Sequence, residues 1–77
     1  MARLRELTYR ETVERPRALG FRFYRPGKGS HELWVRDSDG KAVPVPHHAK
    51  PIRKGTIAAI IRQTGVSVEA FMTLTER

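Results

Sequence analysis

The stretch His31-Glu32-Leu33-Trp34-Val35-Arg36-Asp37-Ser38-Asp39-Gly40-Lys41-Ala42-Val43-Pro44-Val45 decides the fold. Its two halves alternate between apolar and polar residues, which reads as two strands. Between them, Asp37-Ser38-Asp39-Gly40 is a hairpin signal, because an Asp-Gly pair tolerates the positive φ that tight connections demand. The period of two puts His31, Leu33 and Val35 on one face of the first strand and Glu32, Trp34 and Arg36 on the other. In the second strand, Lys41 to Val45, Val43 and Val45 lie together. Pro44 has no N–H to donate, so this strand belongs at a sheet edge.

Upstream, Phe21-Arg22-Phe23-Tyr24 alternates as a further strand, with Phe21 and Phe23 on one face, and Pro26-Gly27-Lys28-Gly29 reads as a turn. Thr8 followed three residues later by Glu11 has the form of a capping box, opening a helix from Tyr9 to about Leu19 that Gly20 stops. Pro16 lies about two turns inside and is expected to kink that helix or end it near Arg15. Downstream, Thr56 is placed to cap a second helix in which Ile57, Ile60 and Ile61 fall on one face, and Gly65 closes it. Ser67 caps a short last turn carrying Val68 and Phe71. Burying the three isoleucines against Leu33, Val35 and Val43, at about 1.5–3 kcal/mol each before entropy is counted, calls for both helices on one face of the sheet. The expectation is a two-layer α+β domain of order α-β-β-β-α with a three-stranded antiparallel sheet.

Seventy-seven residues, 39% of them hydrophobic, make one small domain over 1–77 with a single thin core. A core of that size commonly leans on a disulfide, a metal or a partner chain, and the absence of cysteine removes the first. It also removes thiolate zinc sites, iron–sulfur clusters and thiol catalysis, and fits a reducing compartment. The first residues, Met1-Ala2-Arg3-Leu4-Arg5-Glu6, are too charged for a signal sequence, and the longest apolar run is Ile57-Ala58-Ala59-Ile60-Ile61. A soluble cytoplasmic protein with no membrane contact is expected.

The net charge of +7 is unevenly spread. Residues 15–31 hold Arg15, Arg17, Arg22, Arg25 and Lys28 with no acid, and residues 41–68 hold Lys41, Lys50, Arg53, Lys54 and Arg62, again with none. Segregated charge of this kind concentrates polyanions and suits a phosphate backbone, although basic small domains also bind acidic proteins or membrane surfaces.

Candidate chemical groups are few. Among the three histidines, His31 stands at a loop-to-strand junction behind Lys28-Gly29-Ser30, where backbone N–H groups, the lysine and the hydroxyl could hold a phosphate against a titrating base. Taken alone, the plainer reading is an exposed histidine that opens a strand. His47 and His48 are adjacent, so in an extended chain they point apart and cannot both join His31 at one metal, and no metal or cofactor is expected. One of them could assist as a phosphate-facing cation or second acid. Lys50, Arg53 and Lys54 precede the second helix, where charge and free N–H groups favour an anion. Trp34, opposite the face assigned to the helices, could stack a base, anchor an interface or cover exposed sheet.

The ordered set Leu19-Gly20-Phe21, Gly29-Ser30-His31, Val45-Pro46-His47-His48, Lys54-Gly55-Thr56-Ile57 with Ile60 and Ile61, and Gly65-Val66-Ser67-Val68-Glu69-Ala70-Phe71 resembles the HicA toxins of type II toxin–antitoxin systems. The match covers about residues 8–71, and Pro16 departs from it where members usually carry a helix-core leucine. The resemblance implies a double-stranded-RNA-binding-like fold, an mRNA interferase activity, and neutralisation by a HicB antitoxin, the toxin being a monomer alone and a hetero-oligomer with its antitoxin. It puts the family's catalytic histidine on His31, with Gly29 and Ser30 as the loop residues before it. Under this reading His31 takes the proton from a ribose 2′-OH while Lys28, Lys50, Arg53 and Lys54 stabilise the developing charge, without a metal. The alternative is a small RNA-binding module with no chemistry.

Overall fold

The computed structural model describes residues 2–74. The elements are α1 (Tyr9–Ala18), β1 (Phe21–Pro26), β2 (His31–Arg36), β3 (Lys41–Pro46), α2 (Lys54–Thr64) and α3 (Val68–Thr73). The strands form one antiparallel sheet in the order β1-β2-β3, which leaves the proline-bearing β3 at an edge. The chain therefore has the expected α+β architecture, consistent with a double-stranded-RNA-binding-like fold, and α3 is the short turn expected after Ser67.

The capping box on α1 is complete: Thr8 Oγ1 accepts from the Glu11 N–H at 3.1 Å, and Glu11 Oε1 accepts from the Thr8 N–H at 2.9 Å. Pro16 does not end the helix, which runs on to Ala18. Its ring is fully buried and only two helical residues follow it, so apolar burial offsets the lost hydrogen bond and few turns depend on it. Beside it Arg15 is buried at 3% exposure, donating from Nη1 to the Glu11 carbonyl and from Nη2 to the Met72 carbonyl in α3. This arginine ties two helices together and is lost to the basic surface.

The face of β2 that meets the helices is the opposite of the one expected. Directly opposed residues of neighbouring strands share a face, and the register pairs Trp34 with Val43 and Glu32 with Val45. Placing Val43 and Val45 in the core therefore brings Trp34 with them. Trp34 is 2% exposed, whereas Leu33 and Val35 are half-buried on the open side of the sheet. The tryptophan is a core residue and not a platform for bases. Its indole meets Phe23 edge-on at 6.2 Å between centroids, and the Arg17 guanidinium lies 5.2 Å from its ring.

Two further boundaries differ from expectation. α2 begins at Lys54 after an extended Arg53 with no side-chain cap, so Thr56 lies inside the helix. Ile52 is held to Leu7 by reciprocal backbone hydrogen bonds of 2.7 and 3.3 Å, and the chain turns into the helix directly after that anchor. Ile57, Ile60 and Ile61 are buried as expected, with Phe71 and Met72 packed in the same core. β1 extends past Tyr24 to Pro26 and changes register between Phe23 and Arg25, a bulge that seats Arg25 opposite Leu33.

Candidate active site

Antiparallel pairing brings the β1–β2 turn, the start of β2 and the β3–α2 connection to one end of the sheet. The hairpin at the other end gathers acids. There Asp37 pairs with Arg22 at 3.0 Å and Asp39 with Arg36 at 2.8 Å, and both carboxylates are held below their usual range by these guanidinium hydrogen bonds, Asp39 at about 2. Among the described residues, Lys28, Lys50, Arg53 and Lys54 have no acidic partner within ion-pair distance. Parts of the two acid-free stretches therefore meet at this end, where Lys28, Lys50, Arg53 and Lys54 are exposed, whereas Arg15 is buried and Arg22 and Lys41 lie toward the hairpin.

His31 opens β2 from this end with an exposed imidazole. Its Nδ1 lies 3.2 Å from the Lys28 carbonyl oxygen, which can only accept, so the bond assigns a proton to Nδ1, and in the neutral ring the lone pair is then on Nε2. The turn that holds it is tight: the His31 N–H donates to the Lys28 carbonyl at 3.1 Å and the Gly27 N–H to the His31 carbonyl at 2.8 Å. Gly29 stands at φ +63°, a left-handed conformation glycine adopts without steric cost. Among the described residues the Gly29 and Ser30 N–H groups have no backbone acceptor, and amides in such a turn form a concavity suited to an anion.

A groove of about 760 Å³ on the open side of the sheet is lined by Arg25, Lys28, Gly29, Ser30, His31, Leu33 and Pro44, with Gly27 and Glu32. Four of the expected site residues, Lys28, Gly29, Ser30 and His31, are thus gathered in one place. Lys50, Arg53 and Lys54 are not part of its lining; they stand on the β3–α2 connection and in the first turn of α2.

A second cluster escaped the sequence reading. The Glu32 carboxylate accepts from the Tyr9 hydroxyl at 2.6 Å and the Trp34 indole N–H at 3.2 Å through Oε1, while Oε2 lies 2.8 Å from His47 Nδ1. The Tyr9 and His47 rings stack at 3.8 Å, and the His47 N–H donates to the Ser30 carbonyl at 2.9 Å. Burial alone would raise the Glu32 pKa, but the hydrogen bonds from Tyr9, Trp34 and His47 outweigh it and hold the carboxyl below its ordinary value. Burial and the bond to Glu32 push the Tyr9 phenol up to about 12. His48 turns elsewhere, its Nδ1 lying 2.8 Å from the Lys50 carbonyl. The signal for this cluster was a carboxylate on the same strand face as a tryptophan, because a charged group on a buried face must find donors.

A family model described as the HicA toxin of bacterial toxin–antitoxin systems matches residues 9–66, which is 58 of the 77 residues and takes in all three strands and the whole of α1 and α2. Fold and match together define a small α+β toxin of a bacterial toxin–antitoxin system, a class that implies an antitoxin partner. The chain belongs to the HicA toxin family. A search of curated proteins finds no match. Among the described residues no helix is long and apolar enough to cross a membrane.

Proposed function

We propose that this toxin is a metal-independent endoribonuclease that cleaves mRNA with His31 as general base and is neutralised by a HicB-like antitoxin in the cytoplasm. The observation that carries the reading is the exposed His31 imidazole, held through Nδ1 with Nε2 free, in a groove that also holds Lys28 and the unpartnered amides of Gly29 and Ser30. Nε2 takes the proton of a ribose 2′-OH, whose oxygen attacks the adjacent phosphorus. The bond to the 5′-oxygen breaks, that oxygen takes up a proton, and a 2′,3′-cyclic phosphate remains. Lys28 and the turn amides meet the non-bridging oxygens where charge builds up, and Lys50, Arg53 and Lys54 hold the strand on either side.

No second imidazole lines the groove, so nothing obvious speeds departure of the 5′-oxygen. One positioned base contributes about 10²–10⁴-fold, which makes a slow enzyme. The test compares cleavage of a mixed-sequence RNA by the wild type and by His31→Ala in EDTA. The proposal expects wild-type cleavage to persist in the chelator and to fall by about 10²-fold or more in the variant. Full activity in His31→Ala, or a strict need for added metal, would sink the mechanism. RNA binding without cleavage by either protein would favour the non-catalytic module.

A further inference from the structure

We infer that Arg25, Leu33 and Pro44 form a seat for one unpaired nucleobase of the RNA beside His31, so that the substrate strand lies on the open face of the sheet as a single strand. The inference rests on the ribonuclease reading for its substrate class, but its geometry is independent of the chemistry. Leu33 is directly opposite Arg25 on one side and Pro44 on the other, so the three stand abreast across the sheet. All three line the groove that contains His31. His31 and Leu33 are two residues apart on one strand and share a face, a separation of about 6.8 Å that a single nucleotide can bridge.

The bulge in β1 is what completes this arrangement. In an uninterrupted strand, with Phe23 opposite Trp34, Tyr24 would stand opposite Leu33 and Arg25 would turn to the helix side. The register shift between Phe23 and Arg25 instead brings Arg25 opposite Leu33. The Arg25 guanidinium donates to the Pro26 carbonyl at 3.0 Å, and a guanidinium beside the apolar side chains of Leu33 and Pro44 suits the π-face of a base better than it suits a phosphate alone. Charge complementarity points the same way, since Arg25 and Lys28 line the groove and the carboxylate of its one acid, Glu32, is engaged by Tyr9, Trp34 and His47. A paired base cannot reach the floor, because its apolar faces are covered by its neighbours in the stack. On the helix side Trp34, Val43 and Val45 are buried, and the one exposed ring of that face, Phe23, meets Trp34 edge-on and lies outside the groove that holds His31.

The experiment uses the His31→Ala protein, which allows binding to be read without cleavage, and three probes labelled for fluorescence anisotropy: hexauridylate, a hexamer of abasic ribose phosphates carrying the same charge, and a duplex of equal length. Hexauridylate is expected to bind about tenfold more tightly than the abasic hexamer and more tightly than the duplex. Adding Leu33→Ser, and separately Arg25→Gln, should bring the ratio of hexauridylate to abasic affinity close to one, with far-UV circular dichroism confirming that each variant is folded. Equal affinities for the three probes, or variants that weaken all probes by the same factor, overturn the seat. Cleavage by the wild type is read separately: a protein that cleaves no RNA yet keeps the base-dependent binding refutes the nuclease reading and leaves the seat standing.

Discussion

Replacing Glu32 by glutamine tests whether the hydrogen-bonded cluster behind the groove is as consequential as its geometry indicates. The carboxylate is 17% exposed and accepts from Tyr9 at 2.6 Å, Trp34 at 3.2 Å and His47 at 2.8 Å. Glutamine keeps one oxygen for the Tyr9 and Trp34 donors but turns an amide NH₂ toward His47 Nδ1–H, so a donor faces a donor. A bond to a charged group contributes about 1.5–3 kcal/mol, and part of this is recovered if the imidazole changes tautomer, so the expected loss is about 1–3 kcal/mol. For a domain of this size each kcal/mol moves Tm by roughly 4–8 °C.

The pH dependence fixes the sign. Glu32 has its folded-state pKa depressed below 4.5, so its contribution is complete above that value and is lost as pH falls through the folded-state pKa. Thermal unfolding followed by circular dichroism between pH 7 and pH 3 should therefore show a gap between wild type and Glu32→Gln that narrows below about pH 4.5. Identical Tm values throughout, or a gap that widens in acid, would refute the assignment of Glu32 as a structural hub.

Trp34 and the basic end of the molecule give two further tests. Trp34→Ala removes a core indole at a cost of about 3–5 kcal/mol, a large share of the roughly 4–12 kcal/mol that 77 residues usually supply, and urea unfolding should find it barely folded. The milder Trp34→Phe should lose stability and keep RNA affinity; the reverse pattern would return Trp34 to the RNA interface. Binding of single-stranded RNA should weaken with salt, each phosphate contact adding roughly 0.7 to the slope of log K against log salt. Lys50→Ala and Lys54→Ala should each flatten that slope, whereas Arg22→Ala, whose cation is paired with Asp37, should leave it nearly unchanged, and an equal effect from all three would argue against a single phosphate-binding end.

Local signals in the sequence were legible and relational ones were not. Thr8 with Glu11, Asp39-Gly40 and Gly65 each act within one turn of chain, and each stands where its residue types place it. The inward face of β2 is different in kind. Alternation separates His31, Leu33 and Val35 from Glu32, Trp34 and Arg36 but does not say which set is buried. That depends on the partner strand, and Val43 and Val45 settle it through register. The same limitation hid the Glu32 cluster, whose members come from α1, β2 and the β3–α2 connection, and the bulge, since Phe23-Tyr24-Arg25 contains no glycine to mark it. The start of α2 was misplaced because a capping residue is a weaker determinant than the tertiary anchor of Ile52 on Leu7.

The reversal of the β2 face has a functional consequence. Had Leu33 and Val35 been packed beneath the helices, strand parity would have carried His31 in with them, and an imidazole walled in by α1 could not meet a polymer. With Trp34 inside, the residues sharing His31's face lie on the uncovered side of the sheet, and an unbroken path runs from the Gly29–Ser30 amides past the imidazole to Leu33. The helical layer then serves the site indirectly. From α1, Tyr9 donates to Glu32, which in turn holds His47, and the His47 N–H donates to the Ser30 carbonyl, one residue from His31. The core is concentrated on one side of the sheet, and the groove with its exposed imidazole lies on the other.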